Sequence, residues 1–373
     1  MDFRKVTYNH LLFVLFVPVV IVAKLLRWTI LKVSTVDAGV GHYFIKDICE
    51  KTSNFIILGS SIGVETQSPA SHNAVYLFRL FNWFDCRTYS EFEIAITIAF
   101  NIILLMLLID FSLRNRKMSK GQFFFLLFSI GVMNVYTFTL SKEPIQMLYF
   151  ILMYMVLRSE KSIKSKWILI IGIILLIIVT TRTYYLLMLM FTLGIRFGYP
   201  LIAKLVNNKF VYSSIFFFVL FGFVYYCFLS VCEVIKPDEY IELIRVRTRE
   251  AEAVTDMRNI LPSTSLVLFV LDYLIMILRM LFPVELLRFG PKYGIFVVYQ
   301  IMISWMMFKA LKNYEVNTRT KNIAVFLYWG FLFCSATFEP DFGSWVRHES
   351  VAIPFMLFVL EIDNRRKFKL CNV

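Results

Sequence analysis

The chain has 373 residues, of which 59% are hydrophobic and only 17% are charged. Soluble domains carry about 25% charged residues, so the composition excludes a large water-soluble fold. The formal net charge of +13 is spread over short Lys/Arg clusters between apolar runs. Such clusters are typical of cytoplasmic loops and do not indicate a nucleic-acid partner. The chain also lacks the Walker A, GxGxxG, HExxH and GxSxG motifs.

Apolar segments suited to crossing a membrane recur along the chain. They cover roughly residues 11–31, 92–110, 122–140, 145–157, 167–181, 184–205, 210–230, 266–282, 294–311, 322–337 and 350–361. The basic clusters all lie on the cytoplasmic side only if an even number of crossings separates each pair. A full crossing by segment 266–282 would place the basic clusters that follow it on the outer side. We therefore interpret 264–293 as a re-entrant or interfacial element.

The sequence therefore predicts an all-α polytopic membrane protein with about ten transmembrane helices plus re-entrant or interfacial helices, and with both termini cytoplasmic. We expect a single integral membrane domain over residues 1–373. Residues 32–91 form the first outer loop, with interfacial helices. Residues 231–293 form a second outer loop together with the re-entrant element.

Two short hairpins of this topology hold charges close to the membrane. The hairpin 122–157 is too short to lift Lys142 and Glu143 far into water, so these charges require partners or a polar cavity. A plain hairpin tip with a local ion pair is the alternative. Lys24 and Arg27 lie three residues apart on the first helix, and we expect them to snorkel to the interface.

The second hairpin carries the segment FEPDFGSWVRHES, residues 338–350, between two uncharged runs. We predict that its charged side chains line a polar cavity open to the outer face; they are Glu339, Asp341, Arg347 and His348. A self-neutralising interfacial loop is the alternative. The inner halves of the apolar segments are expected to be purely apolar, which argues against a transport pathway through the membrane.

These outer groups match the chemistry that a lipid-linked sugar diphosphate needs. A diphosphate leaving group is stabilised by arginines, and the candidates are Arg182, Arg245, Arg249, Arg279 and Arg347. An acceptor hydroxyl needs a general base, and the candidates are Asp37, Glu339, Asp341 and His348. Lys142 and Glu143 are expected to orient a sugar or a partner charge, and Tyr185 is a candidate for contact with a sugar face.

Several motifs resemble a known group of enzymes. The loop start STVDAGVGHYF, residues 34–44, resembles lipid-dependent glycosyltransferases of the GT-C superfamily, in which an early acidic residue acts at the active site; here it maps to Asp37. LSKEPIQMLYF, TTRTYYLLML, RMLFPVELL and FEPDFGSWVRHESVAIPFML resemble bacterial Wzy-type and EpsG-like polysaccharide polymerases. The outer loops are small for a Wzy-type polymerase.

The resemblance implies a GT-C-like fold and an inverting polymerase. Such an enzyme joins undecaprenyl-diphosphate-linked repeat units of O-antigen, capsule or exopolysaccharide at the outer face of the bacterial inner membrane. The donor and acceptor glycans and the lipid bilayer are the expected partners, with a chain-length regulator as a further candidate, and no cofactor or metal is required. Two alternatives stay open: a flippase or transporter of the lipid-linked glycan, and a glycosyltransferase that uses polyprenyl-phosphate sugars.

Overall fold

A computed structural model of the chain describes residues 7–31, 77–78, 82, 85–86, 89–115, 117–182, 184–205, 216, 219–220, 222–223, 255, 257, 259–261, 266–290, 293–313, 317–339 and 341–361. Most of the predicted outer loop 32–91 and most of 231–265 lie outside these residues. The described residues are helical and contain no strand. The predicted all-α fold class is therefore confirmed for this part of the chain.

The helices are named in chain order. They are α1 (Tyr8–Leu25), α2 (Tyr89–Arg114), α3 (Lys120–Val132), α4 (Lys142–Arg158), α5 (Ile163–Thr180), α6 (Tyr185–Leu205), α7 (Leu266–Leu281), α8 (Gly294–Lys312), α9 (Arg319–Phe338), α10 (Phe342–Ser350) and α11 (Ile353–Leu360). Single π-helical turns follow α1 at Leu26–Leu31 and α3 at Met133–Thr137, and a 3₁₀ helix follows α7 at Val284–Phe289.

Five stretches in the described residues are long and apolar enough to cross a membrane: Tyr8–Thr29, Ser90–Arg114, Ile163–Thr180, Gly294–Lys312 and Arg319–Phe338. Their length and composition make the chain a helical membrane protein. The count of about ten crossings, the re-entrant role of 264–293, the cytoplasmic termini and the GT-C-like arrangement stay predictions.

The chain forms two compact units. The first unit combines residues 1–183 with 347–373, and the second unit spans residues 184–346. The chain passes from one unit to the other before Tyr184 and again within α10. The division into two compact units does not test whether they form one membrane domain, so the single domain stays a prediction.

In the first unit, α3 and α4 form a hairpin whose connection is a π-helical turn followed by irregular chain, here called the break. Helix α3 gives way to the π-turn and then to irregular chain up to Ser141, where α4 begins. Helix α1 packs along α3 and supplies donors to the carbonyls of this break. The Lys24 Nζ donates to the Phe138 carbonyl at 2.6 Å, and the Arg27 Nη1 donates to the Val135 carbonyl at 2.5 Å. The side chains of α1 thus hold the tip of the hairpin.

Both cations of α1 are buried and are balanced by one carboxylate on α2. Lys24 is 4%, Arg27 2% and Glu93 3% exposed. The Arg27 Nε lies 2.9 Å and the Lys24 Nζ 3.7 Å from the Glu93 Oε1. The expected snorkelling of Lys24 and Arg27 is therefore wrong. The Glu93 carboxylate and the backbone carbonyls of Val135 and Phe138 replace water as partners of the two cations. These partners offset the free-energy cost of burying the charges.

Polar groups also occur along the length of the first unit. Asn101 and Asn134 exchange two side-chain hydrogen bonds between α2 and α3, at 2.8 and 3.0 Å. At the opposite helix ends, the Tyr154 hydroxyl donates to Asp110 at 2.5 Å, and Arg158 pairs with Asp110 at 3.0 Å. These groups satisfy one another inside the helix packing. They lie in the middle or at the ends of the predicted segments, so the expectation of purely apolar inner halves stays a prediction.

In the second unit, α9 is buried over most of its length and packs closely against α6. Gly330 allows this approach, since a Cβ added there would lie 2.1 Å from the Thr192 Oγ1 and 2.9 Å from the Met188 carbonyl oxygen. Helix α7 also contacts α9, where the Tyr273 hydroxyl bonds to Phe333 and Thr337.

We predict that Arg27→Leu destabilises the first unit far more than a matched change at an exposed arginine. Loss of one partner from a buried ion pair costs about 3–5 kcal/mol. Arg114 pairs with Asp110 at the surface, with 51% of its side chain exposed, and Arg114→Leu should cost at most about 1 kcal/mol. The measurement is thermal unfolding of the purified variants in detergent. Equal shifts in the two midpoints would mean that the buried pair does not hold the hairpin.

Candidate functional site

The candidate site forms where α4 begins. Ser141 precedes the helix, so Lys142 and Glu143 occupy its first turn. A carboxylate in this position interacts favourably with the helix dipole, and Pro144 is tolerated there because the first backbone N–H groups have no helical acceptor. The broken tip of the hairpin therefore places Glu143 at a defined point within the first unit.

Glu143 meets two other predicted site residues there. Its Oε1 lies 2.9 Å from the His348 Nε2 and 3.4 Å from the Arg182 Nη2. The Arg182 Nη2 in turn lies 2.7 Å from the His348 Nε2. Glu143 is 1% and His348 7% exposed. Residues distant in sequence, from the ends of α4, α5 and α10, thus form one cluster, in which Glu143 and His348 are buried and Arg182 is half-buried.

The position of the proton on His348 decides which of these contacts is a hydrogen bond. If the Nε2 carries the proton, it donates to Glu143 and cannot accept from Arg182. If the proton is on Nδ1, the Nε2 lone pair accepts from Arg182 and faces the Glu143 carboxylate. The imidazole nitrogen therefore lies between two competing partners. In the second arrangement the Nε2 lone pair could accept a proton from a bound group, with the Glu143 carboxylate 2.9 Å away.

Positive charge exceeds negative charge in this cluster. The guanidinium of Arg347 also interacts electrostatically with Glu143, so two arginines face one carboxylate even when His348 is neutral. Lys142, half-buried, begins the same helix. The excess charge at the amino end of α4 is an environment that favours an anion.

The end of α10 is fixed to the broken hairpin by hydroxyl contacts. The Thr137 Oγ1 bonds to the Ser350 Oγ, which also donates to the Arg347 carbonyl at 2.8 Å. These bonds hold the last turn of α10, which carries Arg347 and His348, beside the tip of the hairpin. The cluster is thereby positioned by backbone elements on both sides.

The second unit contains the other described candidates, and two of them, Asp341 and Arg279, have a visible structural role. The Asp341 Oδ1 accepts from the Ser344 backbone N–H and its Oδ2 from the Ser344 hydroxyl, both at 2.9 Å, which is the geometry of a helix N-cap for α10. Arg279 forms a forked ion pair with Glu285, with the shortest contact at 2.7 Å.

Glu339 and Tyr185 are buried in the second unit. Glu339 is 2% exposed and lies directly after α9, where its backbone N–H donates to the Ser335 carbonyl at 2.8 Å. Tyr185 is fully buried, with its ring 5.4 Å from that of Tyr184 and 6.2 Å from that of Phe331. Tyr185 is thus part of an aromatic stack within the unit. Its predicted contact with a sugar face stays a prediction.

Three predicted site residues, Asp37, Arg245 and Arg249, lie outside the described residues. The sequence analysis missed Ser141 and Gln146, which are buried polar residues beside Glu143. The i to i+3 spacing of Glu143 and Gln146 in the segment TLSKEPIQ is the signal that indicates a shared helix face. In the part of the chain that the structure describes, no group of three His, Cys, Asp or Glu side chains could hold a metal ion.

Comparison of the chain with protein-family models, with curated proteins and with solved structures finds no match.

Proposed function

We propose that this protein is an inverting glycosyltransferase that polymerises undecaprenyl-diphosphate-linked oligosaccharide units at the outer face of the bacterial cytoplasmic membrane. The observation that carries the proposal is the cluster of two buried residues, Glu143 and His348, with two half-buried arginines, Arg182 and Arg347, in a helical membrane protein. The resemblance of the surrounding motifs to Wzy-type and EpsG-like polymerases supports the same activity.

Arg182 and Arg347 are the groups proposed to bind the diphosphate. A guanidinium offers planar, forked donors that match phosphate oxygens and stay charged at any physiological pH. The positive excess in the cluster is available to a leaving group whose negative charge grows in the transition state. The amino end of α4 adds backbone N–H groups of the same polarity. These groups supply the electrostatic stabilisation without a metal ion.

His348 is the proposed general base. The acceptor sugar hydroxyl attacks the anomeric carbon of the donor, and its proton passes to the His348 Nε2. The bond between the anomeric carbon and the diphosphate oxygen breaks, and the undecaprenyl diphosphate leaves with the bonding electrons. Attack from the face opposite the leaving group inverts the anomeric centre. Glu143, 2.9 Å from the Nε2, then stabilises the imidazolium.

A transporter of the same lipid-linked glycan is the second candidate, since polar groups line the first unit from one end to the other. The Asn101–Asn134 pair and the Asp110–Tyr154–Arg158 group, however, are hydrogen-bonded internally. The Glu143 Oε2, by contrast, is buried with no hydrogen-bond partner among the described residues. This difference favours binding and chemistry at one end of the unit over a path through it.

We predict that Arg182→Lys slows polymerisation about ten- to a hundredfold, because Lys keeps the charge but loses the forked geometry. This range corresponds to the loss of one charge-assisted hydrogen bond, about 1.5–3 kcal/mol. His348→Ala should abolish the activity. The measurement is the rate of polymer formation from purified lipid-linked repeat units in liposomes, normalised to folded protein.

Arg114→Lys is the matched control and should retain the wild-type rate, because Arg114 is exposed at the other helix ends. Wild-type rates for both Arg182→Lys and His348→Ala would remove the catalytic role of the cluster. Wild-type protein that moves the lipid-linked glycan across the bilayer without elongating it would be a transporter. Protein that accepts only polyprenyl-monophosphate sugars would be the other kind of glycosyltransferase.

The proposed outer-face location makes a separate prediction about orientation. In a cysteine-free background, Ser90→Cys at the start of α2 should react with a membrane-impermeant maleimide in intact cells. Ser119→Cys and Ser162→Cys, before α3 and α5, should react only after the membrane is permeabilised. All three positions are exposed in the structure. The reverse pattern would place the candidate site on the cytoplasmic side and exclude polymerisation at the outer face.

A further inference from the structure

We infer that Ser141, the Glu143 Oε2 and Gln146 form a sugar-binding subsite, here called the α4 subsite, which holds the hydroxyls of the glycosyl group attached to the diphosphate. The inference rests on the proposed function and names the part of the substrate that Arg182, Arg347 and His348 leave unassigned. It concerns recognition of the sugar, and it does not depend on which group is the general base.

The polar atoms of the α4 subsite are buried and lack protein partners. Ser141 is 0%, Glu143 1% and Gln146 2% exposed. The Ser141 Oγ, the Glu143 Oε2 and both the Oε1 and Nε2 of Gln146 have no hydrogen-bond partner within the described ranges. Ser141 occupies the N-cap position of α4, yet its side chain makes no capping bond. Unpartnered polar atoms thus follow one another over the first turn and a half of a single helix.

Such a group of atoms is costly unless something else binds to it, since a buried donor or acceptor left unsatisfied is strongly unfavourable. Other buried side-chain atoms of the same unit also lack a hydrogen-bond partner among the described residues, for example the Ser112 Oγ and the Asn115 Nδ2, but the buried side chains between the packed helices are paired. Asn101 and Asn134 bond to each other, and Lys24 and Arg27 bond to carbonyls and to Glu93. The unsatisfied atoms of the α4 subsite differ from the others in adjoining, through Glu143, the groups proposed to bind the diphosphate and to act as the base. They are therefore the atoms whose hydrogen bonds the bound substrate would complete.

The donors and acceptors of the α4 subsite indicate the ligand class. A carboxylate oxygen only accepts, an amide both donates and accepts, and a serine hydroxyl does both. Sugar hydroxyls also donate and accept, so they can satisfy all of these atoms. A phosphate has no proton to offer the Glu143 Oε2 and would be repelled by it, and an apolar lipid chain would leave every atom unsatisfied. The subsite therefore fits a sugar ring.

Glu143 connects the subsite to the reacting groups. Its Oε1 faces His348 and Arg182 at 2.9 and 3.4 Å, while its Oε2 belongs to the subsite. Gln146 lies three residues further along α4, on the same face of the helix. A sugar held by the subsite would be adjacent to the arginines that bind its diphosphate, as the bond between sugar and diphosphate requires.

The test is Gln146→Met, which keeps the length of the side chain but removes its polar atoms. Affinities are measured by native mass spectrometry for two ligands, a sugar-bearing undecaprenyl diphosphate and undecaprenyl diphosphate alone. Wild type should prefer the sugar-bearing lipid, and Gln146→Met should reduce that preference about tenfold, as expected for one or two neutral hydrogen bonds. Affinity for the bare lipid should not change. The ligand-free variant should be at least as thermally stable as wild type, because it no longer buries an unsatisfied amide.

Gln300→Met is the matched control, since Gln300 is a fully buried glutamine in the second unit, and it should leave the preference unchanged. If Gln146→Met does not fold, Ser141→Ala replaces it, with a smaller loss in the same direction. An unaltered preference in a folded variant would overturn the α4 subsite and leave the proposed function in place. Wild-type protein that binds neither lipid would overturn both.

Discussion

The break between α3 and α4 is the constraint on which the described part of the first unit depends. A helix that ends among other packed helices leaves carbonyls without donors, and burial excludes the water that would replace them. Here Arg27 and Lys24 of α1 donate to Val135 and Phe138, and Glu93 of α2 balances their charge. Helix α3 can therefore end at Val132, and α4 begins with Glu143 buried in its first turn.

The charged groups of the first unit fall into two sets. Those that hold helices together are paired within the protein, as with Arg27 and Glu93, or Arg158 and Glu361. Those at the start of α4 have a positive excess and a carboxylate oxygen with no hydrogen-bond partner in the described residues. A hydrogen-bond network in which every donor and acceptor is paired makes the unit rigid. Polar atoms that have no partner in the protein can still bind a ligand. The second arrangement is what a site for a charged, hydroxyl-rich lipid substrate needs.

The sequence predicted what depends on local length and composition. Apolar runs located most of the helices, and the short hairpin indicated that Glu143 needs partners. Contacts between distant segments could not be predicted from the sequence. Glu93 lies 66 residues from Arg27, so Arg27 was expected to snorkel. The capping role of Asp341 and the unsatisfied amide of Gln146 were not foreseen, since both depend on how α10 and α4 begin. Asp37, Arg245 and Arg249 stay predictions.

The most direct test of the central claim is an electron cryo-microscopy structure of the protein with undecaprenyl-diphosphate-linked repeat unit bound. Our account predicts phosphate oxygens within hydrogen-bonding distance of the guanidinium groups of Arg182 and Arg347, with the anomeric carbon close to His348. A diphosphate bound at another place, with the contacts among Glu143, Arg182 and His348 unchanged and no ligand beside them, would contradict it. The cluster would then be a structural ion pair of the first unit.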